Sequence, residues 1–438
     1  MEAILGQSAA LFILRVCSLL LPLMMASTVL ASDALEPGGT ALTVVAPPAV
    51  GGQALARVPT RLLATNHAAA AGKVLFERDW LDPRAGDGAV LAGPHYDRSS
   101  CTACHVEALD GLSPGSTQPY LVARPVQATS LEQLGLQANT RHANDLTPEA
   151  IVSIRYTYRT YTYPDGYSRT LRTPHAVAAT SGGDRFPVAL RAAPLLFGWG
   201  LLEHVDQRML PPFHDPEDQN QDGITGRAAV IRDACTGRRK LGLLGWKGTH
   251  ASLENQISAA LRHDMGIDSP SPCQEDAPTV EFSPQELSAI TEFVRHLAVP
   301  AHRRDENRRR TDEGERLFGR VGCGDCHVPI LLTRNDGPPA LASQRAWAYT
   351  DLMLHDMGAE LADPGDGPMA REWRTAPLWG VGLVEARYPK RGFLHDGRAE
   401  SLEDAILWHG GEALEARSRF TALPLADREI LLDFVRAL

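Results

Sequence analysis

Two segments of this 438-residue chain carry one five-residue pattern, Cys101-Thr-Ala-Cys104-His105 and Cys323-Gly-Asp-Cys326-His327. In C-x-x-C-H the two thiols stand one turn apart, the spacing at which they add across the two vinyl groups of a haem. The adjacent histidine then lies against the iron as proximal ligand. A structural zinc site also uses C-x-x-C pairs, but it brings them within tens of residues and needs no histidine directly after each second cysteine. Thioredoxin-like chemistry wants one such motif in a βαβ setting. The two motifs predict two covalently bound haem c groups, with His105 and His327 on the irons.

Other residues offer weaker chemistry. Asp218, Asn220 and Asp222 followed by Gly223 place oxygens at positions one, three and five of a calcium loop, with glycine at six. Position twelve is Ala229, so the bidentate glutamate is missing, and the segment reads as a calcium site closed from elsewhere or as a plain turn. His263 and His355 both stand in His-Asp-Met-Gly, where either could meet a haem or cap a helix. Cys235 and Cys273 remain outside the haem motifs, and in an oxidising compartment they read as a disulfide.

Composition bounds the rest. A net charge of −10 disfavours nucleic acid, because phosphate binding wants a basic face. The arginine cluster at 303–310 interleaves Asp305 and Glu306 and reads as a solvated linker. Arg15 precedes the apolar stretch Val16 to Leu30, and Val29-Leu30-Ala31 offers a cleavage pattern. Residues 1–31 are therefore expected to be a signal peptide, with a retained anchor as the rival. Export to the periplasm follows, with no transmembrane domain after cleavage.

The elements that must position the two motifs come in repeated blocks. Gly72-Lys-Val-Leu75-Phe76 and Gly314-Glu-Arg-Leu317-Phe318 precede the motifs. Ala193-Pro194-Leu195 and Ala376-Pro377-Leu378 follow them, each running on to Glu203 or Glu385. Ser252-Leu253-Glu254 and Ser401-Leu402-Glu403 each open an amphipathic helix, and each half closes on Phe-Val-Arg-x-Leu. Ser283-Pro-Gln-Glu286 is a capping box. Four ordered matches predict a mainly α fold of two tandem cytochrome c-like haem domains related by internal duplication. The divisions are a flexible segment 32–64, a first domain 65–298, a linker 299–310 and a second domain 311–438. The insertion 106–190 belongs to the first domain. Within it Arg155–Tyr163 alternates at period two, Pro164-Asp165-Gly166 supplies a turn, and Tyr167–Arg172 resumes, which predicts a β-hairpin. Its tyrosine stripe reads as a packing face.

These motifs together resemble the bacterial dihaem cytochrome c peroxidase superfamily, most closely its branch of dihaem oxidoreductases sometimes labelled thiol oxidoreductases. Gly245-Trp246-Lys-Gly248, Ser252-Leu-Glu-Asn-Gln256, and Phe393-Leu-His395-Asp396-Gly397-Arg398 with Leu402 to His409 carry the resemblance. It implies Trp246 between the haems, Gln256 in a distal pocket, and Asp264 where the family has a catalytic glutamate. The loop before Asp264 is two residues shorter than the family's. Leu402 plus seven is His409, where the family has a distal methionine, and Ala260 holds that place in the first half. His409 then reads as sixth ligand of the second haem or as a surface histidine, and His395 as a group beside a propionate.

The resemblance implies a peroxidase-like oxidoreductase. One haem would meet hydrogen peroxide or another small oxidant, and the other would deliver electrons from a small periplasmic electron-transfer protein. The alternatives are a dihaem enzyme oxidising an organic substrate or partner protein, and a plain dihaem electron carrier.

Overall fold

The computed structural model describes residues 38–44, 56–82, 92–106, 121–127, 130–131, 136–143, 147–233, 236–270, 281–303, 308–365, 367 and 369–438. The expected signal peptide and the Cys235–Cys273 pair lie outside them. Helix accounts for 36% of residues and strand for 21%, distributed over several sheets, so the expectation of a mainly α fold is wrong. The reason is the insertion, which holds far more than a short hairpin. It supplies β1 (Leu121–Pro125), β2 (Ala150–Thr162), β3 (Ser168–Thr180) and β4 (Arg185–Ala192), antiparallel in the order β1-β4-β3-β2. The hairpin β2–β3 pairs continuously from Ala150↔Thr180 to Thr162↔Ser168. Its turn closes where Gly166 takes φ +85° and donates its N–H to Tyr163 O. The sheet has a small core of its own, built from Ala123, Ala178, Val188 and Leu190.

Around each C-x-x-C-H motif a set of helices repeats its contacts, although this does not establish the expected tandem duplication. In the first set α1 (His67–Glu77) packs on α4 (Pro284–Arg295), with α2 (Trp199–Glu203) and α3 (Leu253–Met265) beside them. In the second, α5 (Arg308–Val321) packs on α9 (Leu425–Ala437), joined by α6 (Val381–Arg387), α7 (Leu402–Trp408) and α8 (Leu414–Ala422). Gly72 explains the first crossing: a Cβ there would collide with the Ala289 carbonyl and Phe293. Gly314 meets Phe434 and the Ile430 carbonyl in the same way. The capping box at the start of α4 is present, Ser283 accepting from Glu286 N at 3.2 Å while Glu286 accepts from Ser283 N at 2.9 Å.

The starts of α3 and α7 are fixed by the same chemistry. Ser252 caps α3 and Ser401 caps α7. Glu203 accepts from Leu253 N, and Glu385 from Leu402 N, both at 2.8 Å. Each glutamate is paired in turn with an arginine of the closing helix, Arg295 at 2.9 Å and Arg436 at 3.0 Å. Farther upstream, Thr43–Val44 pairs in parallel with Val299–Pro300, so part of the N-terminal segment lies against the junction between the two sets.

Candidate functional site

Each C-x-x-C-H motif forms one 3-10 turn, Cys101–Ala103 and Cys323–Asp325, which brings the histidine amide back onto the first cysteine carbonyl at 2.9 Å. None of these four cysteines is in a disulfide. Burial pushes the thiols of Cys101 and Cys323 up to about 12, and those of Cys104 and Cys326 up as well.

His327 and His409 face one another across the second site. Their ring centroids are 6.5 Å apart, with the planes at 44°. Metal–nitrogen bonds of about 2 Å on each side of one ion would set two imidazole centroids about 6 Å apart. The Nδ1 of His327 donates to Tyr349 O at 2.9 Å and that of His409 to Ala405 O at 2.7 Å, leaving Nε2 of each as the nitrogen for a metal. Burial lowers the pKa of both rings, that of His327 to about 4, which keeps them in the neutral form that ligates. The pair lines a cavity of about 400 Å³ together with Cys326, Trp246, Trp373 and Pro194. His409 is thus no surface residue. It stands as the cap at the end of α7.

His355 sits in the same cavity but is committed elsewhere. Its Nε2 bonds Asp351 at 2.9 Å and its Nδ1 bonds Glu412 at 2.7 Å, so neither nitrogen is left for iron. Cys326 Sγ lies 3.9 Å from it. Asp351 and Glu412 could not be found from the sequence, since neither stands in a motif. The pairing of His-Asp-Met-Gly at two places was the only hint. His395 stacks on Trp373 at 3.6 Å and 11°, while Lys247 lies over the same ring at 3.6 Å.

At the first site, His105 Nδ1 donates to Pro194 O at 3.1 Å. Phe76 of α1 stands beside the ring, as Phe318 of α5 does beside His327. Asp264, near the end of α3, is half-buried in the electrostatic neighbourhood of Cys101, Cys104 and His105. Burial pushes its carboxyl up to about 6, against the opposing pull of Gln137, Arg124 and His105. The Gln137 amide also bonds Asp97 at 2.5 Å. Gln137 and Arg124 belong to the insertion, where no sequence signal marked them. The Gln256 carboxamide oxygen is buried with no hydrogen-bond partner among the described residues. Gln256, Ala260 and His263 fall on one face of α3, four and three residues apart.

One tripeptide at the end of β4 joins the two sites. Ala192 O accepts from Trp246 Nε1 at 2.8 Å, Ala193 O accepts from Arg391, and Pro194 O accepts from His105. Ala192 N donates to His395 O at 2.7 Å. Trp246 and Pro194 both line the second-site cavity, so the tripeptide that anchors His105 also touches that cavity. The Asp218–Gly223 loop lies at the rim of the second site, where Asp222 lines the cavity that also holds His327 and His409. It is exposed, and Asp218, Asn220 and Asp222 accept N–H groups of their own loop.

No helix among the described residues is long and apolar enough to cross a membrane. No curated protein matches the chain. A solved structure of Kuenenia stuttgartiensis hydrazine synthase, pressurised with 20 bar xenon, aligns at 15% identity over 85% of this chain and 88% of that one. Its TM-score is 0.39, too low to support any argument. Residues 271–438, which hold the second C-x-x-C-H, His355 and His409, match the family described as "Di-haem oxidoreductase, putative peroxidase".

Proposed function

We propose that the protein is an exported two-haem c-type oxidoreductase that reduces peroxide at the first centre with electrons delivered through the second. The observation that carries this reading is the His327–His409 pair, two neutral imidazoles facing each other close to the separation one iron would set. Cys323 and Cys326 would hold the second haem, and Cys101, Cys104 and His105 the first. Bound haem supplies one-electron redox chemistry at both centres and, where an axial position is open, a binding place for peroxide.

The rest is done by side chains of this chain. Ala260 stands where His409 stands relative to the capped helix start and offers no ligating atom, so the first centre is the one left open. The Gln256 carboxamide oxygen is buried and without a hydrogen-bond partner among the described residues, free to accept from a proton-bearing oxygen. Asp264, with its carboxyl near 6, can hold a proton and release it close to neutral pH. Reducing one peroxide to two waters takes two electrons and two protons. Two molecules of a small reduced cytochrome would each give one electron, entering at the second centre and crossing by way of Trp246. A calcium ion at Asp218, Asn220 and Asp222 is no part of this chemistry.

The ferric protein should show one low-spin and one high-spin iron, and should turn over hydrogen peroxide with a reduced small cytochrome. Two six-coordinate irons without exchangeable ligands would make it an electron carrier instead. High-spin iron without peroxide turnover would point to oxidation of another substrate.

A further inference from the structure

The hairpin of the insertion belongs by sequence to the first site but grips the second. We propose that Arg169, on β3, is the positioning residue that keeps His409 at the second iron. This rests on the His327–His409 reading above. Helix α7 has seven residues, too few to hold its shape or place alone, so its position is set by what packs on it. The Arg169 guanidinium bonds Asp404 Oδ1 at 2.9 Å through Nε and Ser401 Oγ at 3.0 Å through a terminal nitrogen. Ser401 Oγ itself accepts from Asp404 N at 3.1 Å, so one cation ties down both the cap and the third residue of the helix.

The neighbouring contacts act in the same direction. Tyr163, buried at the hairpin tip, donates to Glu403 at 2.8 Å. Arg172 donates to Gly397 O at 3.0 Å and Arg398 O at 3.2 Å, in the turn that leads into α7. At the other end Arg159 lies 4.4 Å over the ring of Trp408, the residue before His409. None of these four hairpin residues lines the cavity, so they act on the ligand only through the helix. Asp404 is 2% exposed, and loss of Arg169 would leave its carboxylate buried without a cation.

The test uses the full-length holoprotein with Arg169→Gln, Arg169→Lys, Arg169→Gln combined with Asp404→Asn, and His409→Ala. The readouts are the ferric low-spin signal, the midpoint potential of that haem, and the response to added imidazole. Arg169→Gln should lose low-spin signal and raise the potential, as His409→Ala does, and imidazole should restore the signal in both. Arg169→Lys should keep most of it. The double variant strands no charge at the buried Asp404 and leaves Glu403 its Tyr163 bond, so it should fold even if Arg169→Gln does not, and it should still lose signal. If the double variant keeps the wild-type signal and potential while His409→Ala loses them, the positioning role is wrong and the ligand reading stands. If His409→Ala also changes nothing, the ligand reading falls and the positioning role falls with it.

Discussion

His355 illustrates how partners decide what a residue type can do. An imidazole beside a C-x-x-C-H cysteine looks like a ligand, but two carboxylates hold both of its nitrogens and favour its charged form. Burial would raise the Glu412 carboxyl, yet the hydrogen bonds from His355 and Thr225 outweigh burial and hold it at about 2, against an ordinary 4.5. A carboxyl with a depressed folded-state pKa contributes stability that is present above its unfolded value and lost as the pH falls through the folded one. The protein should therefore lose thermal stability between about pH 4.5 and pH 2. In Glu412→Gln this part of the acid slope should flatten, and the variant should be less stable at pH 7 by about 2 kcal/mol, the loss of one charge-assisted hydrogen bond while Asp351 still pairs His355. Thermal melts of both proteins from pH 7 to pH 3 would check this, and an identical acid slope would count against it.

At the scale of elements, the two sites depend on close helix crossings. The residues that permit them were legible as Gly72 and Gly314 in the repeated Gly-x-x-Leu-Phe blocks. Gly72→Val should push α1 off α4, shift Phe76 from the His105 ring and destabilise the protein by about 3 kcal/mol. Thermal unfolding with haem retention at each site measures it, and the second site should keep its haem. An unchanged melting temperature would mean that the crossing can relax. The capping box, the hairpin turn and the serine caps of α3 and α7 were also readable, because each is a local bond between residues three or four apart. The four-stranded sheet was not. Its edge strand β1 carries Pro125 and Arg124 and pairs with β4 more than sixty residues on, so no local period announces it. The polar partners at the sites were hidden for the same reason: Tyr349 O, Pro194 O and Gln137 are met only through long-range folding.

Across the whole molecule the helices α3 and α7 start alike but differ at one decisive position. Both helix starts are set by a serine cap and a glutamate–arginine pair, yet seven residues beyond the leucine stands Ala260 in one and His409 in the other. Ala260→His should bring a ligand to the first iron, converting its high-spin signal to low-spin and removing most peroxide turnover. Ferric spectra and a peroxidase assay would decide it, and undiminished turnover would place the reactive side elsewhere. The family match begins at residue 271, so the first centre rests on its own motif and geometry.

The reach of the hairpin also has a consequence for the order in which the protein can be made. Tyr163 and its partner Glu403 are 240 residues apart, and Arg169 is 235 from Asp404. A chain emerging from its N-terminus displays two thirteen-residue strands, with Tyr163 and Leu171 on their surface, long before helix α7 exists to cover them. Contacts of such high separation form late and slowly. Until then the ribbon offers an open edge to any other copy nearby. Assembly of the second centre is thus the step that retires a sticky intermediate, and a C-terminally truncated chain should aggregate for want of that partner even with the first centre intact.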